Sequence, residues 1–150
     1  MRKFWESIYC PSHITGYNPF LLRHMNDAVE KLIYGINNRK KIVVYGTSSV
    51  DGICSVASLS LILRYLNADV EYLIHEGGED SQSVRLDHIK NTIDFLGADL
   101  LVTLGVDLKS KDEVKLCKDL KIDLVVVQNK RTVRERNYVY INPKQKECNY

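Results

Sequence analysis

Residues 41–66, KIVVYGTSSVDGICSVASLSLILRYL, decide how the rest of the chain is read. An apolar, β-branched run from Ile42 to Tyr45 stops at Gly46, and an apolar helix pattern starts near Asp51 and continues to Leu66. Short apolar runs without alternation are typical of strands in a parallel sheet covered on both faces. The helix pattern is apolar on most sides and is therefore expected to be buried. A strand that turns through glycine into a helix sets backbone N–H groups and the positive end of a helix dipole at the sheet edge, where α/β proteins hold ligands. The turn in question is Gly46-Thr47-Ser48-Ser49-Val50-Asp51-Gly52.

The same grammar repeats toward the C-terminus. Asp69 to Ile74 reads as a second strand, His75 to Val84 as a polar loop, and Leu86, Ile89, Ile93 and Leu96 as a helix closed by Gly97. Asp99 to Thr103 is a third strand, and Lys109 to Leu120 a helix turning Val114, Cys117 and Leu120 inward. Asp123 to Val127 is a fourth strand and Tyr138 to Ile141 a short fifth. The alternation predicts an α/β fold, a mainly parallel sheet of about five strands with helices on both faces. Ligand chemistry then belongs at the carboxyl ends of strands one, three and four, at residues 46–52, 104–107 and 128–130.

Toward the N-terminus, Asn18-Pro19 reads as an N-cap followed by proline at the first helical position. Apolar residues from Leu21 to Ile36 recur at spacings of three and four, which predicts one amphipathic helix over 18–38. Residues 1–17 read as an irregular lead-in. A chain of 150 residues is expected to form one domain, 1–150, with its α/β core over 41–141.

Charge and cysteines exclude more than they assign. A net charge of +2 does not by itself announce nucleic-acid binding. The four cysteines are far apart, so they indicate neither a zinc site nor a disulfide framework. With no signal segment and no apolar run near the ~20 residues of a membrane span, the expectation is a cytoplasmic protein without a membrane partner. The one local charge bias is Lys130, Arg131, Arg134 and Arg136, a candidate nucleic-acid-binding loop beside the alternative of a solvated one.

Single residues carry competing readings. Thr47, Ser48, Ser49 and Gly52 are candidates for an anion or nucleotide site, with hydroxyls and helix-start N–H groups facing a phosphate; one serine acting as an N-cap is the alternative. Asp51 lies in a first helical turn, where it complements the dipole. His75 and His88 have no carboxylate or thiol pattern beside them and read as surface or half-buried. Cys54 reads as a packed structural thiol, and Asp107 and Asp112 as acids flanking a helix start.

Those strand ends carry a resemblance. NPFLLRHMNDAVEKL, KIVVYG with SVDGICS, ADVEYLIHEGGEDSQSV, GADLLVT, KIDLVVV and YVYINPKQKECNY follow one another as do the segments of the first domain of the RecJ-type DHH phosphoesterases, which the chain from about Tyr17 onward resembles. The resemblance implies two manganese ions, or magnesium, held by the family's acids and hydrolysing phosphodiesters, as in 5′–3′ exonucleases acting on single-stranded DNA. It also implies a second, C-terminal domain that grips substrate, which is expected to be absent because the chain stops at Tyr150.

The family's catalytic pattern is only partly present. Its D-x-D-x-D-G motif falls on Thr47, Ser49, Asp51 and Gly52, so Asp51 is the one remnant aspartate. Its second-motif arginine falls on Gly77, and the glycine-tyrosine-glycine on Ser81-Gln82-Ser83. Its third-motif aspartate falls on Gly105, with Asp107 two residues later, and the Asp-His-His on Gln128-Asn129-Lys130. A two-metal centre concentrates positive charge that carboxylates must neutralise, and hydroxyls or amides replace them weakly. The expectation is a RecJ-like domain that has lost its two-metal site, leaning away from an enzyme and needing no cofactor. It would serve as a binding or regulatory module for a protein or single-stranded nucleic acid. The alternatives are a metal-dependent phosphodiesterase with altered ligands, drawn from Asp51, Asp107 and His75, and anion binding at 46–52 without chemistry. No oligomeric state follows from these residues.

Overall fold

The apolar run that opens the core forms β1 (Ile42–Thr47), which is buried along its first five residues and continues through Gly46 to Thr47. In the computed structural model, which describes residues 18–75, 84–129 and 137–144, it is the second strand of a five-stranded sheet. The others are β2 (Val70–His75), β3 (Leu100–Leu104), β4 (Asp123–Val127) and β5 (Val139–Ile141), in the order β2-β1-β3-β4-β5. Every pairing is parallel, including the three-residue β5 on β4.

Before β1 lies helix α1 (Met25–Asn37); α2 (Val50–Tyr65) crosses from β1 to β2 and α4 (Lys111–Asp119) from β3 to β4. Between β2 and β3, α3 begins as Leu86–His88 and widens into a π-helical turn, Ile89–Ile93, with Asp94 N–H bonded to the Ile89 carbonyl. Gly97, at φ 70°, ends it, as the sequence predicts.

The expected helix over 18–38 is two pieces. Asn18 does cap, accepting from Phe20 N–H, but only the short 3-10 turn Pro19–Leu21. Leu22 is then extended and His24 left-handed, and α1 starts afresh at Met25. The turn's own cap bond and the break at Leu22 outweigh the continuous apolar spacing, which cannot register backbone angles.

Odd and even strand residues divide the core. Val43, Tyr45, Leu101, Leu124 and Val126 pack under α3 and α4 with Ile89, Ile93 and Cys117. Ile42, Val44, Val102 and Val125 pack under α1 and α2 with Ala28, Val56 and Leu63. Helices therefore cover both faces. Because β2 lies on one side of β1 and β3 on the other, strand order reverses between β1 and β3, which opens a crevice at their carboxyl ends.

The amino edge is built by one repeated turn. Arg39, Asn67, Gly97 and Lys121 are all left-handed. In each case the next residue's N–H reaches back five positions: Lys40 to Gly35, Ala68 to Leu63, Ala98 to Ile93, Ile122 to Cys117. Ion pairs Lys41–Asp69 and Lys40–Asp99 join these turns at 2.7 and 2.9 Å, and Lys31 of α1 reaches Asp123 at 3.0 Å.

α2 departs from expectation. It buries Gly52, Val56, Ser60 and Leu63 on the sheet but exposes Val50, Ile53, Leu61, Ile62 and Tyr65. Cys54 is likewise exposed rather than packed. A single helix against a single sheet can bury only one stripe, so apolar composition on the other sides does not suffice for burial. Among the described residues no helix is long and apolar enough to cross a membrane.

Candidate functional site

The crevice is entered where β1 hands over to α2. Ser49 is the N-cap of α2, its Oγ accepting from Gly52 N–H at 3.1 Å, and Thr47 Oγ1 lies 2.7 Å from the same Oγ. The capping alternative for the serines is thus in use. Two glycines permit the close strand-to-helix approach. A Cβ on Gly46 would collide with Val56 Cγ2, and one on Gly52 with the carbonyl and hydroxyl oxygens of Thr47. Ser48 and Asp51 are exposed at the turn.

Across the crevice β3 ends at Gly105, whose φ of 75° suits glycine. A Cβ there would stand 4.0 Å from Thr47 Oγ1, so the two strand ends are neighbours. Gly105 N–H donates to the Val127 carbonyl at 2.9 Å, and Gln128 Nε2 donates to the Gly105 carbonyl at 3.2 Å. Gln128 is buried, and its Oε1 accepts from Asn129 N–H at 2.8 Å. Thr103, also buried, turns its hydroxyl onto the Val106 carbonyl at 2.7 Å. Thr47, Gly105 and Gln128 thus stand together at the ends of β1, β3 and β4, with the Gln128 amide bonded to Gly105.

Asp107, two residues beyond Gly105, is buried rather than set at the helix start. Its Oδ1 accepts from Leu108 N–H at 2.8 Å, and its carbonyl accepts from Val84 N–H at 3.0 Å. The helix start belongs to Ser110, which forms a reciprocal capping box with Glu113. Among the described residues, no group of three His, Cys, Asp or Glu side chains is gathered to hold a metal ion, so Asp51, Asp107 and His75 do not form one cluster. Lys130, Arg131, Arg134, Arg136, Gly77 and Ser81 to Ser83 lie outside the described residues, as do residues 1–17.

His75, expected near the surface, is only 1% exposed. Tyr45 Oη lies 2.7 Å from its Nδ1 and 2.9 Å from Nδ1 of His88. One hydroxyl carries one proton, so Tyr45 donates to one ring and accepts from the other, whose Nδ1 must be protonated. Burial pushes the tyrosine up to about 12. Burial, followed by the neighbouring His88 and Arg85, lowers the His75 pKa, with Asp87 opposing. No pattern along the chain links positions 45, 75 and 88; the β1–β2 pairing and the docking of α3 bring them together.

This arrangement matches known proteins over most of its length. The DHH family, N-terminal domain, matches residues 41–149. The single-stranded-DNA-specific exonuclease RecJ of Bacillus subtilis (strain 168) is 28% identical over 141 residues, covering 89% of this chain and 17% of that protein. RecJ of Haemophilus influenzae is 28% identical over 137 residues, 89% of this chain and 24% of that protein. The chain thus spans at most 24% of the length of these curated relatives. In structure, it resembles exonuclease RecJ bound to manganese, with a TM-score of 0.76 and 19% identity over 87% of this chain and 34% of that one. RecJ in complex with Mn2+ from Thermus thermophilus gives 0.68 and 19% over 81% and 17%. These two likenesses concern the fold.

Proposed function

This chain belongs to the DHH family, and on that premise we propose that it is a RecJ-like domain without the two-metal site, acting as a binding or regulatory module in DNA metabolism with a protein or single-stranded nucleic-acid partner. The observation that carries the reading is the bond from Gln128 Nε2 to the Gly105 carbonyl, beside Thr47, at three positions where the family pattern has acids. A pair of divalent ions requires several anionic oxygens at fixed places. Among the described residues the donors at these positions are hydroxyls engaged in capping, an amide engaged with a carbonyl, and one carboxylate, Asp51. Manganese does not fit this set.

The altered-ligand enzyme has less support. Asp107 Oδ1 accepts from Leu108 N–H and His75 Nδ1 is bonded to Tyr45, and neither side chain belongs to a group of three His, Cys, Asp or Glu among the described residues. At the turn, an anion would compete with Ser49 Oγ for Gly52 N–H. The test is incubation with 5′-labelled single-stranded DNA and excess manganese. No product above background is expected; product that disappears in Asp51→Ala would overturn the reading. The class of partner is separated by titrating single-stranded DNA at several salt concentrations. A nucleic-acid partner held through residues 130–136 requires a steep salt slope that reversing Arg131 and Arg134 flattens.

A further inference from the structure

A helix that is apolar all round is normally covered all round. α2 has no charged residue between Gly52 and Leu63, yet the sheet covers the stripe of Gly52, Val56, Leu59, Ser60 and Leu63 and leaves the rest outward. On the other side Val50 is 79% exposed, Leu61 66%, Ile62 57% and Tyr65 86%. Leu66 and Tyr72 of β2 widen the patch at its C-terminal end, where Arg64 lies over the Tyr72 ring at 5.9 Å. A side chain as large as Tyr65 can offer on the order of 150 Å² or more. The patch therefore reaches several hundred Å², the upper range for a monomer and near the roughly 800 Å² per partner of a stable interface.

We propose that the outer stripe of α2 is the interface of a two-fold dimer of this chain, the two copies of α2 packing antiparallel. Chemistry and shape select a second copy. The stripe carries no charge, so it offers nothing to phosphates and suffers no repulsion from itself; the charged side chains of α2, Asp51 and Arg64, lie at its two ends. Its halves differ in size. Cys54, Ala57 and Ser58 make the N-terminal half shallow, while Leu61, Ile62 and Tyr65 make the C-terminal half bulky. An antiparallel two-fold centred between Ala57 and Ser58 sets Leu61 of one copy over Cys54 of the other and Tyr65 beside Val50, large against small. The small centre lets the axes approach to the 8–10 Å of packed helices.

Sedimentation velocity of the purified chain tests the proposal. The wild type is expected to dimerise in the micromolar range, and Leu61→Glu with Tyr65→Glu to weaken association by more than about tenfold without lowering the melting temperature, since both sites are exposed. Register is tested by Ser58→Cys in a background with Cys10, Cys54 and Cys148 changed to Ser. Mild oxidation should link its copies, whereas Val50→Cys, at the end of the stripe, should not link, because antiparallel packing sets its two copies on the order of 20 Å apart. A wild type that stays monomeric to about 200 µM would overturn the dimer and assign the stripe to another partner. A double variant that associates as tightly as wild type would overturn the location, and equal linking at Val50→Cys the antiparallel register.

Discussion

The two edges of the sheet are made on different principles. At the amino edge four helix-to-strand turns share one backbone design, with a left-handed residue, a hydrogen bond reaching back five positions, and ion pairs linking neighbours. At the carboxyl edge the described strand ends are all unlike: a serine cap after β1, a buried histidine bonded to tyrosine at the end of β2, a left-handed glycine after β3, and a buried glutamine after β4. Charge follows the same division. Lys40, Lys41, Asp69, Asp99 and Asp123 gather in ion pairs at the edge where α/β proteins do not hold ligands, while at the other edge the described ends of β3 and β4 are joined by the neutral pair of Gly105 and Gln128.

Substitutions sharpen that contrast. The largest effect should come from Gly52→Ala at the carboxyl edge, because its Cβ meets the Thr47 backbone, which cannot rotate away. Chemical denaturation should show a loss of about 3 kcal/mol, and a loss under about 1 kcal/mol would mean that the turn is free to shift. Gln128→Ala comes next. It leaves the Gly105 carbonyl and Asn129 N–H without their side-chain partner and should lower stability by about 1–2 kcal/mol. An unchanged midpoint would show that the amide does not seal the crevice.

The histidine at the end of β2 gives the same edge a pH response. The lowered His75 pKa means that the unfolded chain takes up a proton first as pH falls below its ordinary 6.5. Stability is therefore present above pH 6.5 and is lost as pH drops from there through the folded-state value. Melting curves across this range should show that slope, and His75→Gln should flatten it; a slope that survives the substitution would assign it elsewhere. The smallest effect is at the amino edge and has the opposite sign. Lys121→Gly relieves a left-handed lysine at φ 59° and should raise stability by about 0.5–1 kcal/mol. A decrease would show that the Lys121 side chain contributes more than its backbone strain costs.

Much of the fold is legible in the sequence, and the reason is local. The unalternating runs around Val43, Leu101 and Val125 appear as buried parallel strands because both sheet faces are covered. Gly97 ends its helix because a residue without Cβ enters the left-handed region readily. What failed were statements about neighbours. The break at Leu22 to His24 depends on backbone angles that apolar spacing does not encode. Exposure of Cys54 and Tyr65 depends on how much of α2 one sheet can cover. The candidate site divides in the same way: the Ser49 cap is visible three residues ahead of Gly52, but the burial of Asp107 and His75 is not.

By itself, then, the sequence determined a parallel α/β sheet and the DHH-like order of its segments. These follow from residue type and spacing, which act within a few positions. Only the tertiary structure decided that Gln128 closes onto Gly105, that Tyr45 is held between His75 and His88, and that α2 keeps an apolar face outward. Each of these joins residues 23 to 43 positions apart, or depends on what fails to arrive, and such contacts exist only once the strands have taken their order.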